Sequence, residues 1–181
     1  MALPIETITI LPVQPIAMRR LDEIRDVLHA KGMRVVHQKT PILRPAGAYD
    51  DRRHQFRAEV LLERARHCDE RPLLAVTDGD CYAGKLNFVF GMAEVGGGVA
   101  VVSLRRLRAP TTERFRQRAA KEIIHELGHG EGLGHCHDPK CVMHFSNSLS
   151  DTDAKSSEFC RECQWRLRAK VPLSGTRIVA P

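Results

Sequence analysis

His125-Glu126-Leu127-Gly128-His129 sets two imidazoles four residues apart with a carboxylate beside the first. On a helix, residues at that spacing stand about 5–6 Å apart on one face, so both rings can converge on one ion while the glutamate lies beside its water. Gly132 and His135 extend the pattern to H-E-x-x-H-x-x-G-x-x-H. Chance alone gives the five-residue core at roughly three per cent and the extended pattern at roughly one in ten thousand, so the spacing reads as chemical. After His129 the chain must leave the helix and turn back for a third ligand to reach the same ion, and such a turn usually demands φ > 0, hence Gly132. His125, His129 and His135 leave a fourth coordination position open, the arrangement of catalytic rather than structural zinc. The expected chemistry is amide hydrolysis: the metal lowers the pKa of water toward about 7, and Glu126 takes its proton as general base and passes it to the departing amine.

A second donor set follows at once. Cys136-x4-Cys141 and Cys160-x2-Cys163 offer four thiolates at a spacing compatible with a closed, structural zinc site. Two Zn²⁺ per chain are therefore expected, one catalytic and one structural, with paired disulfides as the competing reading of the cysteines. Cys136 directly follows His135, so ordering one site orients the other. Cys68 and Cys81 stand apart and read as ordinary buried thiols. His137 and His144 could support the ligands but fit surface or packed histidines better, and Met143 taken alone is a core filler.

These residues need a scaffold. Ile5 to Leu11 alternates apolar and polar residues as a strand; a helix from Pro15 to Ala30 ends at Gly32, and Met33 to Gln38 is a second strand. Thr40 to Asp50 reads as a loop, and Asp51 to Arg71 as one long amphipathic helix. Three strands are expected over Leu73 to Thr77, Leu86 to Phe90 and Val99 to Leu104, followed by a helix from Thr112 to Gly130 that carries the first two histidines. The stretch after Gly130 lacks apolar periodicity until a helix from Ser156 to Ala169, so its order should come from metal.

The chain has 181 residues, 43% hydrophobic and 28% charged, enough for one folding unit with a packed core. Its start lacks the basic head and unbroken apolar run of a secretory signal, and no apolar run approaches a membrane span, so a cytoplasmic protein is expected. The formal charge of +6 reflects arginines at 105, 106, 108, 114, 116 and 118, read as a solvated face paired with neighbouring glutamates at i,i+4. Aromatics make up only 5%, which disfavours nucleic acid as a partner.

The extended motif from His125 to His135, with Met143 behind it, resembles the metzincin clan of zinc peptidases. Cys136, Cys141-Val142-Met143 and Cys160-x-x-Cys163 are similar to the archaemetzincin family specifically; upstream only the order of elements agrees. The resemblance implies an α+β fold, with a twisted mixed sheet, a backing helix over Asp51 to Arg71 and an active-site helix over Thr112 to Gly130. It implies an upper subdomain, residues 1–132, and a small lower one, residues 133–181, holding the third histidine, the Cys₄ zinc site, a Met-turn and the terminal helix. Met143 would form an apolar floor under the histidines without binding metal, Leu86 to Phe90 would be the edge strand that pairs with extended substrate, and His144 to Ser148 would wall the primed-side pocket. A monomer acting on peptides or proteins is expected. The other readings are a zinc hydrolase of a non-peptide substrate such as RNA, which Glu126 disfavours, and a non-catalytic zinc-stabilised binding module.

Overall fold

The computed structural model describes residues 3–169 and 178–179. Strand β1 (Thr7–Pro12) is followed by helix α1 (Met18–Ala30), β2 (Arg34–Gln38), β3 (Tyr49–Asp50), β4 (Gln55–Arg57) and helix α2 (Ala58–Arg66). Then come β5 (Leu73–Thr77), β6 (Cys81–Tyr82), β7 (Gly91–Glu94), β8 (Val99–Ser103), α3 (Thr112–Gly130), α4 (Leu149–Ala154), α5 (Arg161–Ala169) and β9 (Ile178–Val179).

Six strands form one mixed sheet in the order β2-β1-β5-β8-β7-β9. Neighbours from β2 through β8 run parallel, while β7 is antiparallel to β8 and β9 to β7. Strands buried on both faces read as continuous apolar runs, and β5 and β8 do so. Their alternate residues enter two cores: Leu74, Val76, Ala100 and Val102 meet α1 and α3, whereas Leu73, Ala75, Val99 and Val101 meet α2. A small second sheet, β3-β4-β6, lies beside the α2 core.

Three expected elements differ. The helix expected over Asp51 to Arg71 is only α2. Asp50 Oδ1 accepts from the Arg52 and Arg53 amides, closing a turn; His54 has φ of 53°, and Gln55–Arg57 pairs with β3 and β6 instead. Leu86 to Phe90 is not a strand. Side chains take the carbonyls at its start, with Arg53 donating to Leu86 O and Asn87 O and Gln55 to Asn87 O, and the strand beside β8 is β7. The terminal helix expected from Ser156 begins at Arg161, because Ser156 N bonds Lys140 O and Glu158 O accepts from Val142 N. No helix among the described residues is long and apolar enough to cross a membrane.

Candidate active site

Helix α3 is capped by Thr111, whose hydroxyl accepts from the Arg114 amide at 3.2 Å, a bond worth about 1 kcal/mol at such a position. Phe115, Ala119, Ile123 and Leu127 seat it in the core, and the same helix buries His125, Glu126 and His129. Its end is a glycine-closed turn: Leu133 N bonds Gly128 O and Gly132 N bonds His129 O, with Gly132 at φ 95°. That turn aims the Leu133 carbonyl back at His129, and Nδ1 donates to it at 2.7 Å. His125 Nδ1 likewise donates to Val142 O at 2.8 Å. A carbonyl can only accept, so both protons sit on Nδ1 and both Nε2 atoms present lone pairs.

Those two Nε2 atoms face one another at 3.1 Å. Two lone pairs repel at that distance unless a cation lies between them, and two nitrogens on a tetrahedral ion at about 2.0–2.1 Å would be about 3.3–3.4 Å apart. His135 brings its ring 4.9 Å from that of His129 and 5.4 Å from that of His125, and the donor atoms of all three lie within 4.8 Å of one another. The donor set therefore fits a metal ion. Burial holds His125 well below the ordinary imidazole range, helped by His129 and the Lys155 ammonium. Burial also draws His129 down to about 3 and lowers His135. Burial pushes Glu126 well above the usual carboxylate range, with Glu122 adding to it, and Glu126 Oε2 has no hydrogen-bond partner.

Two glycines make room here. A Cβ on Gly91 would fall 2.5 Å from Glu126 Cγ, and one on Gly128 would fall 2.5 Å from Met143 Sδ. Met143 is wholly buried against α3, and Phe145 sets its ring 5.3 Å from that of His135.

Cys136, Cys141, Cys160 and Cys163 bring their sulfurs within 4.8 Å of one another, with the 136–160 and 141–163 pairs at 3.7 Å. The edge of a tetrahedron with Zn–S of about 2.3 Å is about 3.8 Å, whereas a disulfide needs about 2.05 Å. All four are free thiols. The hydrogen bond from Cys163 draws Cys141 down to about 5, while burial lifts Cys136 to about 11. His144 Nδ1 donates to Cys136 O at 2.9 Å, so this histidine ties the chain together, and His137 is exposed. Cys81 is buried, with its thiol pushed up to about 12 by burial, and Cys68 is half-buried.

Residues 46–169 match the model of peptidase family M54. The chain belongs to peptidase family M54. It is 45% identical over 133 residues to an archaemetzincin of Methanopyrus kandleri, covering 72% of this chain and 76% of that relative. The crystal structure of an M. kandleri archaemetzincin superposes on this M54 chain with a TM-score of 0.80 at 38% identity, covering 92% of this chain and 95% of that one. A zinc-dependent peptidase from Methanocorpusculum labreanum superposes with a TM-score of 0.68 at 28% identity, covering 88% and 99%. Membership makes this M54 chain a zinc metallopeptidase, the resemblance carried by its motif, and its mixed sheet with backing helices is the fold of those structures.

Sequence reasoning passed over two parts of the site. Gly91 lies in the strand after the expected one, and the only signal for it was a glycine opening that strand. Lys155 had no signal at all: its place behind His125 depends on α4, too short to show a period.

Proposed function

We propose that this chain hydrolyses peptide bonds with one Zn²⁺ held by His125, His129 and His135, and that a second Zn²⁺ held by Cys136, Cys141, Cys160 and Cys163 is structural. The observation that carries the first site is the pair of Nε2 lone pairs 3.1 Å apart, each fixed by a carbonyl on the far side of its ring. When bound, Zn²⁺ would supply Lewis acidity, making water acidic near neutral pH and polarising a carbonyl, and its charge would favour the ionised form of Glu126. Glu126 is the general base: it takes the proton of the attacking water and delivers it to the leaving amine. Its unpartnered Oε2, buried beside the first ligand, suits a group whose partner arrives with substrate.

Met143 lies under the ligands as an apolar floor, and the close fit at Gly128 holds it there. Residues 3–132 serve as the upper subdomain and 133–169 as the lower, but Ile178–Val179 returns to the upper sheet beside β7, so the expected lower range of 133–181 is too long at its end. Residues 1–2, 170–177 and 180–181 lie outside the described residues. Extended substrate pairs with the start of β7: Ser103 N donates to Phe90 O, so alternation turns the Gly91 amide and carbonyl to the outer edge, while Ala93 and Glu94 pair with β9. Phe145, beside His135, belongs to the primed-side wall.

The test is Glu126→Ala, profiled with wild type on a peptide library. Two zinc ions per chain should remain while kcat/KM falls about 10²–10⁴-fold. A variant that cleaves as fast as wild type would sink the assignment of Glu126.

A further inference from the structure

Behind the histidine cluster, on the Nδ1 side of His125, lies a buried ion pair that the chemistry above does not use. Lys155 has a side chain 0% exposed, and its Nζ stands 3.2 Å from Oε1 of Glu122, itself 3% exposed. Nζ donates to the His144 carbonyl at 3.2 Å, and Glu122 Oε1 accepts a further bond from Thr152 Oγ1 at 2.9 Å. His125 Nδ1 is 3.5 Å from Nζ but gives its proton to Val142 O, so it is no acceptor for the ammonium. Burying two charges is costly, and an apolar pair of similar volume often serves stability as well or better, so stability alone does not account for this pair.

Its connections do. Glu122 lies three residues before His125 on the same helix, and the His144 carbonyl lies two residues beyond the carbonyl that orients His125. Among the described residues, the backbone bonds of Val142 to His144 go to their own C-terminal part: Val142 N to Glu158 O, Met143 O to Cys136 N, His144 N to Cys141 O. The His144 ring also bonds Cys136. Beside the bond from His125 to Val142 O, the bridge from Glu122 through Lys155 to His144 O is thus a second polar strut between the active-site helix and the segment beneath it.

Resting on the reading of the three histidines as a zinc site, we infer that Glu122 and Lys155 are positioning residues for it. The strut sets where Val142 O meets His125 Nδ1, and therefore the direction of the Nε2 lone pair. Partners behind a ligating histidine typically change metal affinity or activity about 10–100-fold when lost.

The experiment is the double variant Glu122→Met/Lys155→Met, which removes both charges and leaves neither one buried alone. Thermal melting, zinc affinity by chelator competition, the visible absorption of Co²⁺ substituted at the histidine site, and kcat and KM are measured beside wild type. Expected are a melting temperature near that of wild type, zinc held about 10–100-fold more weakly by the histidines, an altered Co²⁺ band, and a lower kcat with KM little changed. A folded double variant with wild-type zinc affinity and Co²⁺ band overturns the inference. Should it not fold, Thr152→Val decides, since it removes only the hydroxyl donated to Glu122; a severalfold loss of zinc affinity is expected, and an unchanged affinity counts against the strut. His129→Ala separates the two readings. If wild type binds no more zinc than this variant, the metal reading and the inference on it fall together; if wild type binds one more ion that is indifferent to the double variant, the inference falls alone.

Discussion

Gly91 and Glu126 meet so closely that a single methyl group would not fit, its carbon falling 2.5–2.7 Å from three atoms of the carboxylate side chain. Nothing about the Gly91 backbone demands glycine, since it has no positive φ; the close approach does. Gly91→Ala should therefore leave both metal sites loaded while the displaced carboxylate lowers kcat/KM by about tenfold or more, because small misplacements of a reacting group are costly. Zinc content and steady-state kinetics on one peptide check this, and full activity would show that Glu126 tolerates another position. Gly128 poses the same problem against Met143, which explains the residue between the two histidines better than helix propensity does.

At the scale of elements, α4 is fastened to α3 by charge. Arg118 forms two hydrogen bonds to Asp153, Arg114 adds an ion pair at 2.9 Å, and Lys121 donates to the Thr152 and Asp153 carbonyls. The bonds from Arg118, with burial opposing them, hold Asp153 at about 2, below its ordinary 3.8. A carboxyl depressed in the folded state stabilises fully above its unfolded pKa, and the contribution fades as pH falls from about 4 toward 2. With Asp153 partly exposed, on the order of 1–2 kcal/mol is at stake. Asp153→Asn should thus be less stable than wild type in urea at pH 7, with the difference closing near pH 2; a constant gap would refute the linkage. The arginine face was legible as paired, but its partners are aspartates distant in sequence, such as Asp26, Asp80 and Asp153, rather than glutamates at i,i+4. Helix α3 and strands β5 and β8 could be read directly because their period is long or their burial two-sided. The stretch from Asp51 to Arg57 could not, because Phe56 fits a helical stripe and a strand facing the second core equally well.

In the molecule as a whole, the segment after Gly132 joins the main core through Leu133, Val142, Met143 and Phe159, and its candidate metal donors tie it to itself. Cys160 N donates to Cys141 Sγ, Cys136 N to Met143 O, and His135 adjoins Cys136, so the two proposed metal sites share a backbone. Cys160→Ser should lower zinc toward one ion per chain, weaken the hold on His135 and reduce the melting temperature, since structural zinc contributes binding energy directly to folding. Metal analysis with calorimetry checks this, and two tightly held ions in the variant would contradict the four-sulfur site. The sequence by itself picked out the candidate donor residues, because the spacing of residues along a chain is a local property, and it carried the resemblance that rests on them. Only the tertiary structure decided which carbonyl orients each imidazole, which strand edge faces Glu126, and that Lys155 lies buried behind His125. Those depend on contacts between residues far apart in the chain, where no period or local spacing leaves a trace.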